Sequence, residues 1–150
     1  MIARVEAAQA TLDAARSRPY KLGVNDCARM TAGHLRRMGK RVKLPPSRSY
    51  GTARGALRAL KERGFGNLIE AMDGFGFERI APAAALPGDV LALPTESPLG
   101  CLVVALGNGR VCGFHEDVVE GCVLQPLTYE AAWRINLLSP RKKAGTTIAP

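Results

Sequence analysis

Aromatic side chains make up only 5% of this 150-residue chain, with a single tryptophan, and there are just two histidines. An imidazole base can therefore come from His34 or His115 alone. No apolar run approaches the roughly 18 residues needed to cross a bilayer as a helix, so no membrane span is expected. The opening stretch MIARVEAAQATLDAARSR contains acids and lacks an apolar core segment, so it reads as an amphipathic helix and not as a signal peptide. Lipidation signals, internal repeats and low-complexity segments are missing as well. No C-x-x-C pair occurs, which removes the commonest zinc-ligand spacing.

What is present fits one folded unit. Apolar content is 47%, charged content 23%, and the length suits a domain with its own core, expected over residues 1–139. Four cysteines occur, at 27, 101, 112 and 122. A chain of this size folds without disulfides, so reduced thiols are the expectation. Cys112 and His115 form a C-x-x-H pair, but in a strand positions i and i+3 point to opposite faces. No metal and no cofactor is expected. The net charge of +8 is unevenly placed: residues 29–63 hold eleven Lys or Arg and one acid, Glu62. Such a block suits an acidic protein surface or nucleic acid, and equally a solvated helical face. Tyr50 is the one aromatic residue in it, which argues against stacking on single-stranded nucleic acid.

The apolar periodicity changes midway. Val5, Ala8, Leu12 and Ala15 predict a helix over 3–16. Pro19 and Gly23 break it, and Asp26 is placed to cap a second helix over 27–38, with Ala28, Thr31, Leu35 and Met38 on its apolar face. A two-proline loop leads to a third helix over about 52–63, with Thr52 as N-cap; GNLIEAMDGFG is a short helix or turn. Strands follow in FERIAP, in PGDVLALP behind a Pro-Gly-Asp turn, in the hairpin GCLVVALGNGRVCGFH, in GCVLQPL and in EAAWRINLL. The basic tail over 140–150 is expected to be disordered. Helices first and antiparallel strands afterwards predict an α+β fold with segregated layers.

The stretch GVNDCARM places Cys27 at a helix start, where positive potential and free N–H groups favour a thiolate. Taken with LPGDVLAL and CLVVALGNGRV, it resembles the NlpC-type cysteine peptidases of the papain-like superfamily. YKLGVNDCARM, SYGTARGALRALKERG and AAWRINL are similar to a small family encoded in the tail modules of tailed bacteriophages, over roughly residues 18–138. The resemblance implies a papain-like fold with N-terminal helices packed on a C-terminal antiparallel sheet. It puts the nucleophile at Cys27, the catalytic histidine's position at Cys101, and the orienting third residue near Gly113 to His115. An unperturbed thiol, with a pKa of about 8.5, does not replace imidazole as a base near neutral pH. The pattern thus holds at the nucleophile and departs at the base. His115 stands as a substitute base or third residue, or as a solvated turn residue beside Glu116 and Asp117. His34 lies about 10 Å along the helix from Cys27, too far for contact, and reads as a half-exposed helix residue.

If Cys27 and Cys101 face each other across the former active site, oxidation can join them, given a Cα separation under about 7 Å. Cys112 and Cys122 read as strand core, Trp133 as a core plug, and Asp89 as serving its turn. The resemblance implies a tail-tip, baseplate-hub or tail-assembly protein with a degenerate peptidase site. It would act by binding other tail proteins through Arg36, Arg37 and Arg58, in the virion and, during assembly, in the host cytoplasm. An active peptidase cutting cell-wall peptides as DNA passes into the cell is the second reading. Nucleic-acid binding through residues 29–63 is the third.

Overall fold

The computed structural model of the chain describes residues 1–115 and 119–137. The expected basic tail lies outside them. Four helices come first: α1 (Ile2–Arg16), α2 (Cys27–Arg37), α3 (Ala53–Glu62) and α4 (Leu68–Gly74). Side-chain oxygens start the last three. Asp26 accepts from the Arg29 amide, Thr52 from Gly55 and Asn67 from Glu70, each satisfying an amide that has no partner within its helix.

Six strands follow: β1 (Glu78–Arg79), β2 (Val90–Ala92), β3 (Leu102–Gly107), β4 (Arg110–Gly113), β5 (Cys122–Leu124) and β6 (Ala131–Arg134). They form one sheet in the order β1-β6-β2-β3-β4-β5, every pairing antiparallel. The fold is therefore α+β, as the change of periodicity predicts. The β3–β4 hairpin turns at Asn108 and Gly109, both with positive φ (56° and 75°), the backbone that a tight Asn-Gly hairpin turn requires. The last strand does not sit at an edge: β6 lies between β1 and β2.

Side chains alternate across the strands with the two-residue period of a sheet. Val90, Ala92, Leu102, Ala131 and Trp133 join Leu35, Met38, Leu60 and Leu68 in the core between sheet and helices. Leu91, Val103, Ala105, Val111 and Ala132 form a smaller cluster on the opposite face. Trp133 is fully buried, and its indole Nε1 donates to Asp73 Oδ1 at 2.8 Å. α1 is rotated from the expected setting. Its buried face is Arg4, Ala7, Ala8, Thr11, Leu12 and Ala15, while Val5 is 44% exposed.

The cause of that rotation is Asp89, which has no exposed surface. Leu86 to Asp89 make the expected turn: the Asp89 amide donates to Leu86 O, and Gly88 takes φ +92°. The carboxylate then gathers donors from distant parts of the chain. Arg4 Nη2 of α1 donates to Oδ1, Arg134 Nε of β6 donates to Oδ2 at 2.9 Å, and the Ile135 and Leu86 amides donate at 2.9 Å each. Arg4 also donates from Nε to Pro87 O at 2.8 Å. A buried arginine is tolerated because every arm of its fork meets an acceptor.

His34 departs from its expected half-exposed setting. It has no exposed surface and bridges α1, α2 and the turn before β2. Its Nε2 donates to Gly88 O at 2.7 Å, and its Nδ1 lies 2.8 Å from Thr11 Oγ1. A carbonyl only accepts, so Nε2 carries the proton and Nδ1 takes the threonine hydroxyl. Burial is the main reason its pKa falls from 6.5 to about 4, and the nearby Arg37 and Arg4 charges lower it further.

Two outcomes follow from these buried groups. Asp89→Ala removes the carboxylate and leaves Arg4 buried without a counter-charge, so urea unfolding at pH 7 is expected to show a loss of about 3–5 kcal/mol; a loss below about 1 kcal/mol would refute the clamp. His34 is neutral in both folded and unfolded chains above pH 6.5. As pH falls from 6.5 to about 4, the unfolded chain takes up a proton that the folded chain refuses. Stability should therefore fall over that window by about 2–3 kcal/mol more in the native protein than in His34→Gln, read by urea titrations at pH 7 and 4.5. Equal losses in both would assign the acid sensitivity to carboxylates.

Candidate functional site

The segment before α2 is built to present Cys27. Gly23 holds φ +86°, and a Cβ there would lie 2.1 Å from Tyr50 O, so only glycine fits the turn. Asn25 Nδ2 donates to Arg18 O at 2.8 Å, tying the turn to the end of α1. Asp26, 3% exposed, collects three donors: the Gly23 amide at 2.7 Å, the Arg29 amide at 2.8 Å and the Tyr50 hydroxyl at 2.7 Å. Burial, with the hydrogen bond to Asp26 next, pushes the Tyr50 pKa far up and keeps the phenol a donor. Cys27 follows as the first residue of the helix.

Cys27 and Cys101 are both half-buried, both unoxidised, and line one cleft of about 560 Å³. Cys101 stands immediately before β3, on the same cleft as Cys27. The Cys27 thiol is pushed well above its ordinary range, first by Cys101 and then by burial; the Asp26 carboxylate adds to the effect, and the Leu102 backbone opposes it. Cys101 is held below its ordinary range by Cys27, with burial opposing. The groups that shift Cys27 are thus a second thiol, a backbone amide and a carboxylate. The helix-terminus field that would favour a Cys27 thiolate is offset by burial, by Asp26 and by a thiol neighbour.

The remaining sequence candidates sort by position. His115 is exposed and lines the same cleft, beyond the end of β4, and its backbone is hydrogen-bonded to Cys122. Cys112 is fully buried, donates to Met30 Sδ at 3.5 Å and is pushed up to about 12 by burial. Cys122 is half-buried, and burial raises its thiol too. No cluster of three or more metal-ligating side chains occurs among the described residues, and no helix among them is long and apolar enough to cross a membrane. Arg36 and Arg37 line a groove of about 210 Å³ with Arg18 and Arg29. Arg58, exposed on α3, is not part of that groove.

Sequence reasoning missed the aromatic side of the cleft. Tyr20 and Phe114 pack edge to face with ring centres 5.5 Å apart, and Leu22 and Leu99 extend the apolar wall. Tyr20 sits in an irregular segment and Phe114 next to a strand end, so neither carries a periodic signal. Tyr50 was visible in SYGTARG but not as a partner of Asp26, because the two lie 24 residues apart. The cleft has the size and mixed lining of a site for a short peptide or small ligand, with two thiols and His115 in its lining.

A family model described as a domain of unknown function (DUF6950) matches residues 3–135. No curated protein matches the chain. Among solved structures, that of NlpC2 from Trichomonas vaginalis is similar, with a TM-score of 0.55 at 14% identity, covering 89% of this chain and 46% of that one. The chain thus spans about half the length of that structure. At this identity the likeness shows the fold, which is papain-like, and leaves activity to be argued from the site. With nearly its whole described length matched, the chain belongs to the DUF6950 domain family and carries it on an NlpC-like, papain-like scaffold.

Proposed function

We propose that this protein is a bacteriophage tail component, in the tail tip or baseplate hub or as a tail-assembly protein, that works by binding other tail proteins and not by hydrolysis. The observation that carries the loss of hydrolysis is the thiol–thiol pair: Cys101 stands against Cys27 where a cysteine peptidase needs an imidazole. Without that base the nucleophile loses its ion-pair partner and the leaving amine its proton donor. General acid–base help is worth about 10²–10⁴ in rate, and a helix terminus, worth about 0.3–2 kcal/mol, does not replace it. The tail context rests on the likeness of YKLGVNDCARM, SYGTARGALRALKERG and AAWRINL to the phage-encoded family. In this reading the protein belongs in the virion and, before that, in the host cytoplasm. Arg36 and Arg37, in the arginine-lined groove, and the exposed Arg58 supply the contact surface in this reading.

One observation favours an active cysteine peptidase instead: His115 lines the cleft that holds Cys27. Nucleic-acid binding through the arginine groove is the other alternative, and it predicts an affinity that falls steeply with salt.

The site makes a kinetic prediction. The isolated protein is expected not to cleave peptidoglycan peptides, and Cys27, followed by peptide mass mapping, is expected to react with iodoacetamide near pH 7 no faster than an ordinary thiol. Cys101→His should raise that rate at least tenfold by placing an imidazole against the sulfur. Rapid alkylation of the native protein, abolished by His115→Ala, would establish the peptidase reading. The surface makes a separate one: reversing charge at Arg36, Arg37 and Arg58 together should cut incorporation into particles severalfold in a variant that still folds. Normal incorporation would remove these arginines from the interface.

A further inference from the structure

A second cleft, about 740 Å³ in volume, lies away from the cysteines, and the fold builds it from segments that are far apart in sequence. Lys40, Arg41 and Lys43 come from the irregular stretch after α2, and Arg63 caps the end of α3. None of the four forms an ion pair among the described residues. Glu78 is the one acid in the lining. The floor is aromatic. Phe65 and Phe75 flank α4, Phe77 precedes β1, and all three are half-buried against the main core. Phe65 and Phe75 pack edge to face at 5.3 Å, and Phe75 and Phe77 do so at 6.3 Å.

We infer that this cleft is a docking site for an acidic peptide segment of a partner protein, one carrying an aromatic or aliphatic side chain that seats on the phenylalanine floor. The inference deepens the binding role proposed above and rests on it. Charge complementarity sets the sign of the occupant: four cations without a carboxylate partner surround a half-apolar cavity, an arrangement that favours carboxylates on a chain able to bury an apolar group between them. The volume suits a few residues of extended peptide. The chain's own continuation is a poor occupant, since Arg141, Lys142 and Lys143 follow in sequence with the same sign as the rim. A nucleic-acid strand fits less well. In each T-shaped pair one ring's edge closes the other ring's face, so the floor is not an open stacking platform for successive bases.

The test is fluorescence anisotropy of the full chain with four labelled probes: a hexapeptide of Asp and Glu around one Phe and one Leu, its Asn/Gln counterpart, an acidic hexapeptide without Phe or Leu, and a short oligothymidylate. The acidic peptide is expected to bind at least tenfold tighter than the amide version, and Arg41→Glu with Lys43→Glu should abolish that binding. Both positions are exposed loop residues, so the double variant should fold, checked by circular dichroism. A second variant, Phe77→Ser, should weaken the acidic peptide severalfold while leaving a Phe-free acidic peptide unchanged, which a purely electrostatic surface would not do. No preference for the acidic peptide, or binding unaffected by the double variant, overturns the inference. Oligothymidylate binding tighter than the peptide, and lost in the double variant, overturns it in favour of nucleic acid. Arg36, Arg37 and Arg58 stay intact in these variants, so failure here is separable from failure of the arginine surface, and a hydrolytic activity at Cys27 would not alter the anisotropy result.

Discussion

Asp89 sits where three parts of the chain meet, and its carboxylate accepts from Arg4 of α1, from Arg134 and Ile135 at the end of β6, and from the turn before β2. An unpaired buried charge would cost several kcal/mol, so the elements bearing these donors must come together in one arrangement. The clamp fixes which side of α1 faces inward and draws the end of β6 to the β2 turn. Its neighbour Gly88 offers its carbonyl to His34, which adds α2 to the same junction. The thiol cleft and the basic-aromatic cleft are both walled by elements positioned from this point.

Gly23, Asn25, Asp26 and Tyr50 hold a rigid turn that starts α2 at Cys27. The groups that hold the cysteine in place are satisfied by hydrogen bonds within the chain. Across the cleft stands Cys101, and together with burial and Asp26 it favours the protonated form of the Cys27 thiol. A helix start therefore presents this cysteine in surroundings that oppose a thiolate.

Most of the architecture was legible locally. The caps at Asp26 and Thr52, the Asn-Gly hairpin and the Pro-Gly-Asp turn are short-range signals, and each marks its element in the structure. The errors fell where a long-range partner overrode periodicity. Val5 was expected on the apolar face and is exposed; Arg4 is buried in its place, paired with Asp89, which lies 85 residues away. His34 looked surface-like for the same reason, its partners being Thr11 and Gly88. The position of β6 between β1 and β2 has no local signature either.

The sequence alone determined the order of helices and strands, the cysteine at a helix start and the excess of positive charge over residues 29–63, since these depend on residue type and near-neighbour spacing. Only the tertiary structure decided what those residues meet. It set Cys101 against Cys27, and it brought Phe65, Phe75 and Phe77 beside Lys40, Arg41 and Lys43, giving a basic segment with a single aromatic residue of its own an aromatic floor. The physical reason is that burial, ion pairing and cleft formation depend on distances in space between residues tens of positions apart, which neither composition nor period encodes.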